Sequence, residues 1–412
     1  MSLRMRSESN WGRLGMKFKT YIMEDVLESI IDYRGKTPKK SDSGIPTLSA
    51  KSVKSNHIDY SLCYYISPDE YRRFMVRGIP RIGDVLLTTE APMGVVARLD
   101  RDDVAIAQRI LTLRGKENVL DNEYLLYFLQ SSIGQSLLRA RETGTTVTGI
   151  KQAEFRKIEI TIPEIDIQKK IGRFLRALDE KVEINSKINE NLEQQAQAIF
   201  KSWFVDFEPF NGEMPHDWIV SRLGDIASIK TNSFSPVKNP DAQLEHYSIP
   251  AYDEQKYPVF ESAAGVKSNK YILSKNSVMI SKLNPDTKRV WRPMCLSELA
   301  VSSTEFIIFE AFNPAYRDFV FSIIDSAAFS DWMCAHTTGS TNSRQRTTPS
   351  ATLEFQVAFP DEKTITDFCA IVTQMYDTIA LNICENQMLA QLRDSILPKL
   401  MSGELDVSNL NL

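Results

Sequence analysis

The sequence is poor in the residues that build metal sites and disulfide frameworks. It has only four histidines and five cysteines in 412 residues. The cysteines are far apart and form no CxxC pair, and they lie at Cys63, Cys295, Cys334, Cys369 and Cys384. Such spacing argues against zinc and against a disulfide-rich fold, and it is typical of a protein of the reducing cytoplasm. We therefore expect no metal site and a cytoplasmic location.

Long apolar runs and nucleotide-binding glycine motifs are also missing. No run of 18 apolar residues occurs, so we expect no spanning helix. The N-terminal arginines are followed by no apolar segment, and residues 1–16 are interpreted as a tag or extension. Gly35-Lys36-Thr37 resembles the end of a Walker A loop, but Ile30 stands where that loop needs its first glycine. No G-x-G-x-x-G motif occurs either, so nucleotide-binding activities lose their support.

Positive charge is concentrated in the first part of the chain, although the formal net charge is −4. Residues 1–163 carry 25 Lys and Arg against 20 Asp and Glu, whereas residues 361–412 carry 3 against 8. A basic first third favours contact with an anionic partner, and an acidic end favours contact with proteins.

The sequence repeats itself at an offset of 197. Pro163 corresponds to Pro360, Asn185 to Asn382, and Asn189 to Asn386. Upstream, the Thr-Gly-Thr-Thr segment 143–146 corresponds to the Thr-Gly-Ser-Thr segment 338–341. The chain is therefore interpreted as two copies of one unit, each a mixed region followed by a long helix.

The tail of each repeat shows the alternating spacing of four and three that is typical of a coiled coil. A single such helix is equally compatible with an amphipathic core helix, but two copies with asparagines near their midpoints favour an antiparallel pair. Antiparallel pairing is expected because a globular region precedes each helix. The predicted helix-pair seam comprises Leu178, Val182, Asn185, Asn189, Leu192, Ile199, Met375, Ile379, Asn382, Asn386, Leu389 and Ile396.

The mixed regions contain short strand-like runs and helix-like segments, so the predicted class is α+β. The predicted strands are 85–89, 106–113 and 159–162 in the first repeat, and 278–282, 305–309 and 355–359 in the second. The predicted helical segments are 122–140 and 314–335.

Basic and polar loops are the best candidates for function. Residues 34–54 carry six basic residues against Asp42, in a turn shaped by glycine and proline, and lysines there suit phosphates. Arginine, asparagine and glutamine in the second repeat suit bidentate contact with base edges. The predicted DNA-binding residues are Arg34, Lys36, Thr37, Lys39, Lys40, Lys51, Thr145, Thr146, Lys282, Ser340, Asn342, Arg344, Gln345 and Arg346.

Two alternatives remain open at this point. Pro240-Asp241 followed by Glu254-Gln255-Lys256 fits the loose pattern of a magnesium-dependent nuclease. A scaffold whose repeats bind proteins is the second alternative. An adenine methyltransferase is disfavoured, because Asn239-Pro240-Asp241 and Asn284-Pro285-Asp286 lack the second proline and aromatic residue of its base-gripping loop. No catalytic residues are identified.

Between about Lys17 and Leu405 the chain resembles the specificity subunits of type I restriction–modification enzymes. The most specific matching segments are 143–171, the helix end 198–207, and the start of the second mixed region at 214–225. The second repeat departs from the first at Lys363-Thr364-Ile365, where Asp166-Ile167-Gln168 stands in the first.

The resemblance implies two α/β target-recognition domains joined by antiparallel coiled-coil helices with pseudo-two-fold symmetry. The expected order is domain 1 at 17–162, spacer helix 163–205, domain 2 at 206–359, spacer helix 360–403 and a tail at 404–412. It also implies a non-catalytic subunit that binds double-stranded DNA, two modification (methyltransferase) subunits and restriction subunits. S-adenosylmethionine, Mg²⁺ and ATP would be bound by those partners, and none by this chain.

Overall fold

The computed structural model describes residues 7–9, for their backbone only, and residues 17–144, 148–338 and 345–407. The chain divides into two compact units, one formed by 1–182 with 388–412 and the other by 183–387. Each unit therefore combines one mixed region with a part of each long helix.

The first repeat contains ten strands and five short helices among the described residues. The strands are β1 (Ser7–Ser9), β2 (Phe18–Ile22), β3 (Leu27–Asp32), β4 (Ile45–Leu48), β5 (Tyr64–Ile66), β6 (Val85–Thr88), β7 (Val96–Arg98), β8 (Ala105–Ile106), β9 (Ile110–Gly115) and β10 (Glu159–Pro163). The helices are α1 (Met23–Val26), α2 (Pro68–Phe74), α3 (Asn122–Gln130), α4 (Ser132–Arg139) and α5 (Gln152–Phe155), and the long helix α6 (Ile165–Phe204) follows.

The second repeat is built in a similar order. Its strands are β11 (Ile219–Arg222), β12 (Ala227–Lys230), β13 (Ser233–Phe234), β14 (Gln243–Tyr247), β15 (Val259–Ser262), β16 (Lys270–Ile272), β17 (Ser277–Ser281), β18 (Val290–Trp291), β19 (Ala300–Ser303), β20 (Phe306–Ala311), β21 (Thr337–Thr338), β22 (Arg346–Thr347) and β23 (Gln356–Phe359). Its helices are α7 (Ile249–Gln255), α8 (Arg317–Ile324), α9 (Ala327–Ala335), α10 (Pro349–Thr352) and the long α11 (Glu362–Met401).

The two repeats share one sheet topology, which confirms the predicted α+β class and the internal repeat. The four-stranded sheet has the order β3-β9-β6-β7 in the first repeat and β12-β20-β17-β18 in the second. The smaller sheet β5-β4-β8 corresponds to β15-β14-β19, with one antiparallel and one parallel pairing in each. The second repeat extends this sheet by β16 and β13.

The central strands are continuously apolar because both of their faces are buried. In β6, Val85 and Leu87 belong to the cluster that contains the long helices, whereas Leu86 belongs to the cluster of the smaller sheet. In β17, Val278 and Met279 divide in the same way. Successive side chains of a strand point to opposite faces, so an uninterrupted apolar run is what a buried strand requires.

Three predicted elements are interrupted in the structure. The predicted strand 106–113 is divided into β8 and β9, because Arg109 adopts a left-handed backbone with φ of 73°. The predicted helices 122–140 and 314–335 each form two helices, α3 with α4 and α8 with α9. Each break is at a serine, Ser131 or Ser326, whose hydroxyl accepts a hydrogen bond from the backbone of the following helix and so starts it anew.

The two long helices have the predicted extent and direction. In the second unit, Asn185 donates to Oδ1 of Asn386 at 2.9 Å, and Asn382 donates to Oδ1 of Asn189 at 2.8 Å. Going from Asn185 to Asn189 along α6, the partner on α11 changes from Asn386 to Asn382, so the two helices run antiparallel. In the first unit, Arg393 of α11 donates to Asp179 of α6 at 2.7 Å, in the same sense.

The departure at Lys363-Thr364-Ile365 leaves the start of α11 intact, because Asp361 caps it. The Asp361 carboxylate accepts hydrogen bonds from the hydroxyl and the backbone of Thr364, which lower its pKa. At the other end, Gly403 has φ of 73° just after the helix, a conformation that favours glycine.

Burial along the seam follows the prediction near the middle of the helices and shifts toward their ends. Asn185, Asn189 and Ile379 are buried, and the other predicted seam residues are half-buried. In α6, Asp179 is buried in place of its neighbour Leu178, and Phe200 in place of its neighbour Ile199. A straight helix repeats every 3.6 residues and drifts from a seam of period 3.5. The ends also pack into the core of their own unit.

The asparagine pairs give a stability prediction. Asn185→Leu should lower the free energy of unfolding by about 1–2 kcal/mol, since Asn386 then loses its donor. Asn185→Leu with Asn386→Leu should regain part of this stability, because the pair itself becomes apolar and Glu385, which accepts from Asn185 at 2.7 Å, still loses that donor; the register becomes less defined. Urea unfolding followed by circular dichroism measures both variants. A double variant no more stable than either single variant contradicts the prediction.

A buried carboxylate network joins α8 to α11 in the second unit. Asp318 is 2% exposed and accepts hydrogen bonds from Arg292 at 2.8 Å and from Thr373 of α11 at 2.7 Å. Burial by itself would raise the pKa of Asp318, but hydrogen bonds from Arg317 and Arg292 outweigh it and lower this pKa to about 2. The ionised form is therefore favoured by folding.

Asp318→Asn should destabilise the protein at pH 7 by about 2–4 kcal/mol, since the buried Arg292 then keeps only the exposed Asp377 as a carboxylate partner among the described residues. A carboxyl with a depressed folded pKa stabilises fully above its unfolded pKa, here near 3.8, and loses this stabilisation as the pH falls through about 2. The difference between wild type and variant should thus shrink between pH 4 and pH 2. Unfolding free energies across that range measure it, with the exposed Asp367→Asn as control. A constant difference would argue against this ionisation.

Candidate nucleic-acid interface

The lysine-rich segment forms an exposed turn directly after β3. The backbone N–H of Lys36 donates to the carbonyl oxygen of Tyr33 at 3.1 Å, and Gly35 between them has φ of 77°. A side chain at this glycine would be strained. The turn leaves Lys36, Lys39 and Lys40 exposed. Ammonium groups so presented are suited to phosphate contacts.

Other predicted residues of the first repeat lie around this turn. The hydroxyl of Thr37 accepts a hydrogen bond from Nε2 of Gln108 at 2.9 Å. The ammonium group of Lys40 lies 4.8 Å from the centroid of the Tyr64 ring. Lys51 is exposed in the loop after β4. The structure thus connects the turn to the segment before β9.

One carboxylate joins two arginines at the edge of the turn. Arg34 donates from Nη2 to one oxygen of Glu90 at 2.7 Å, and Nε of Arg109 lies 3.4 Å from the other oxygen. All three side chains retain exposure to solvent, with 44% for Arg34 and 54% for Arg109. The cluster is therefore polar and accessible, and its two arginines against one carboxylate give it a formal charge of +1.

Three loop segments meet at this place through backbone hydrogen bonds. The N–H of Thr89 donates to the carbonyl oxygen of Arg109 at 2.9 Å, and the N–H of Ile150 donates to the carbonyl oxygen of Thr89 at 3.0 Å. Gly149 lies so close that an added Cβ would be 2.5 Å from the carbonyl oxygen of Thr89. We call this meeting point the loop junction of the first repeat.

The second repeat has the same junction. The N–H of Lys282 donates to the carbonyl oxygen of Glu305 at 2.9 Å, and the N–H of Thr347 donates to the carbonyl oxygen of Lys282 at 3.0 Å. Lys282 follows β17 as Thr89 follows β6, and Glu305 precedes β20 as Arg109 precedes β9. The polar loops after Thr143 and Thr338 therefore return to equivalent places, as the sequence repeat predicted.

Arg346 is engaged at this second junction. It donates from Nε and Nη2 to the two oxygens of Glu305, at 2.9 and 3.1 Å. These hydrogen bonds lower the pKa of Glu305, with further contributions from the charges of Arg346 and Lys282, and they raise the pKa of Arg346. Contact with a base edge would require this bidentate pair to open.

The remaining predicted residues divide between described and undescribed parts of the chain. Gln345 accepts a hydrogen bond from the N–H of Asn284 through its backbone oxygen at 2.9 Å, which fixes the end of the polar loop. Five predicted residues lie outside the described ranges, namely Thr145, Thr146, Ser340, Asn342 and Arg344. Their DNA-binding role stays a prediction, as it does for the described residues.

Sequence reasoning missed the acidic members of both junctions. Glu90 and Glu305 carry no motif, and Gln108 and Arg109 were assigned to the interior of a strand. For Gln108 and Arg109, only the residue type gave a signal, because glutamine and arginine are suited to contact with base edges. The ion pairs of Glu90 with Arg34 and of Glu305 with Arg346 join residues 56 and 41 positions apart, which no local pattern reveals.

The nuclease pattern forms no evident metal site. Lys256 donates to Glu193 of α6 at 3.0 Å, and Glu254 is exposed at the end of α7. Within the described ranges, no three His, Cys, Asp or Glu side chains are grouped so as to hold a metal ion. Among all the residues that the structure describes, no helix is long and apolar enough to cross a bilayer.

Residues 17–194 match the family model of the type I restriction modification DNA specificity domain. The match spans the first repeat and the first part of α6. The second repeat shares the topology and the loop junction of this specificity domain, although the model's match ends at residue 194. The resemblance to type I specificity subunits that the sequence indicated is thereby confirmed.

Relatives extend the similarity over most of the chain. The MjaIX specificity subunit of Methanocaldococcus jannaschii is 26% identical over 365 residues, which are 80% of this chain and 79% of that protein. The HindI specificity subunit of Haemophilus influenzae is 33% identical over 112 residues, 27% of this chain and 24% of that protein. The crystal structure of the type I restriction-modification S subunit from M. genitalium is 15% identical, covers 97% of this chain and 99% of its own, and has a TM-score of 0.59. That last likeness supports the fold.

Proposed function

We propose that the chain is the DNA sequence-recognition subunit of a type I restriction–modification complex. Each specificity domain reads one half of a bipartite target in double-stranded DNA, and the paired helices set the spacing between the halves. The observation that carries the proposal is the recurrence of one loop junction in both repeats, each surrounded by exposed basic and polar side chains. Phosphate contacts position such a protein, and base contacts specify the sequence.

The proposed protein partners are two modification (methyltransferase) subunits and restriction (translocase/endonuclease) subunits. The helix pair supports this, because in the second unit the aliphatic side chains of Ile184, Ile188 and Leu381 are exposed on it. Exposed apolar residues on helices favour protein contact. The chain itself is proposed to be non-catalytic, with S-adenosylmethionine, Mg²⁺ and ATP bound by the partners.

A cytoplasmic location belongs to the same proposal. All five cysteines are free thiols, although Cys369 is buried and Cys334 is exposed. Unpaired cysteines in such different environments suit a reducing compartment.

Domain exchange tests the proposed function. Replacing residues 17–162 with the equivalent domain of a relative should change one half of the methylated sequence and leave the other half unaltered. Methylome sequencing of cells that express the chain with its methyltransferase partner gives the readout, and exchange of residues 206–359 is the reciprocal control. Absence of sequence-specific methylation, or a change in both halves at once, counts against the proposal.

The lysine turn should contribute affinity without specificity. Changing Lys36, Lys39 and Lys40 together to Ala should weaken binding to cognate and scrambled duplexes alike, and should lower the slope of log affinity against log salt by about 1 per lost contact. Fluorescence anisotropy at several salt concentrations, with the methyltransferase complex, measures the slope. Lys238, Lys267 and Lys275, exposed in the second repeat, provide a control with equal charge loss. An unaltered slope contradicts a phosphate-binding role.

A further inference from the structure

The ion pairs of the two units fall into a buried and an exposed class. Arg114 with Asp84, and Arg292 with Asp318, are bidentate pairs whose side chains are no more than 12% exposed. Removing one partner of such a pair leaves a buried charge, so these pairs have a structural role. The pairs at the loop junctions differ, because their arginines are 44–54% exposed. Exposed pairs contribute little to stability and open readily.

The junction pairs recur without any shared position. In the first repeat the acid is on the loop after β6, at Glu90, and its cations are Arg34 and Arg109. In the second repeat the acid directly precedes β20, at Glu305. Its cations are Arg346, directly bound, and Lys282, whose charge also lowers the pKa of this acid. Each junction thus combines one carboxylate with two cations, although no equivalent position carries the same charge.

The geometry favours exchange of the carboxylate for another acceptor. A guanidinium group presents a planar fork that fits a carboxylate, a phosphate or the O6 and N7 edge of guanine. Arg346 already uses that fork on Glu305. Arg34 and Arg109 share the two oxygens of Glu90. An anion held in place by the protein therefore competes with every phosphate that the loops approach.

We propose that Glu90 and Glu305 are latch residues that hold the junction arginines off phosphates and release them only where a base edge offers a bidentate acceptor. On non-specific DNA the arginines then stay paired with the glutamates, which we call the latched state. On cognate DNA these ion pairs are open, which we call the released state. This inference rests on the proposed function, since it assigns a role within the same DNA interface. Both glutamates are positioning residues, because they act through the arginines.

The latch is tested by isosteric removal of each charge in the full chain, bound to its methyltransferase partner. Glu305→Gln frees one arginine and Glu90→Gln frees two. On scrambled duplexes the salt slope should steepen by about 1 for Glu305→Gln and by about 2 for Glu90→Gln. The affinity for scrambled duplexes near physiological salt should rise roughly three- to ten-fold per freed arginine. On cognate duplexes the slope should stay that of wild type, because the arginines are already released there.

Two controls separate the latch from a general change of charge. Asp42→Asn in the lysine segment and Asp286→Asn beside the second junction remove equal charge from exposed carboxylates, each without an ion pair to any described residue. These aspartate variants should steepen the salt slope on scrambled duplexes by less than half the change expected for Glu305→Gln. In addition, Glu305→Gln in an Arg346→Ala background should have no further effect, since the released group is then missing.

The outcomes distinguish this inference from the function on which it rests. If wild-type complex does not prefer cognate DNA, the proposed function fails. If wild type is specific, but the glutamine variants match the aspartate controls or lose only cognate affinity, the latch is overturned and the carboxylates serve as ordinary surface charges or base-reading groups. Thermal unfolding of each variant, expected near the wild-type midpoint, excludes misfolding as the cause of any difference.

Discussion

The antiparallel contact between α6 and α11 is the interaction on which both units depend. The core of the first unit includes Ile171 and Leu175 from α6, together with Leu397 and Leu400 from α11. The core of the second unit takes the other half of each helix. Neither mixed region closes its core with its own helix alone, because apolar side chains from the other repeat's helix complete it. Helix pairing and domain folding are therefore one event, and the asparagine pairs fix its register.

A constant frame with variable loops follows from this division of roles. The order of the four-stranded sheet agrees strand by strand between the repeats, and the hydrogen bonds that join the loop segments of each junction are between backbone atoms. Backbone bonds place no demand on side-chain type. Thr89 can thus correspond to Lys282, Arg109 to Glu305, and Gly149 to Arg346 without loss of the junction. Side-chain chemistry can therefore change at these positions while the fold stays the same.

The sequence predicted those features that depend on periodicity. The long helices and their asparagine pairs follow from spacing and from the offset of 197, and their direction follows from the globular region that precedes each helix. The strands that match prediction, such as β6 and β17, are short apolar runs. Prediction failed where one residue interrupts a pattern, as Arg109 does between β8 and β9. It also failed at Glu90 and Glu305, because an ion pair across more than 40 residues depends on tertiary folding that spacing does not encode.

Net charge conceals what matters for a nucleic-acid interface. The chain has a formal charge of −4, yet its lysine turn presents Lys36, Lys39 and Lys40 to solvent with no ion pair to any described residue. At the loop junctions, by contrast, the arginines are ion-paired with carboxylates. Screening limits each charge to a range of about 8–10 Å at physiological salt, so DNA responds to the local groups and not to the total. A surface that combines free lysines with paired arginines can therefore attract DNA broadly and still restrict its directional contacts.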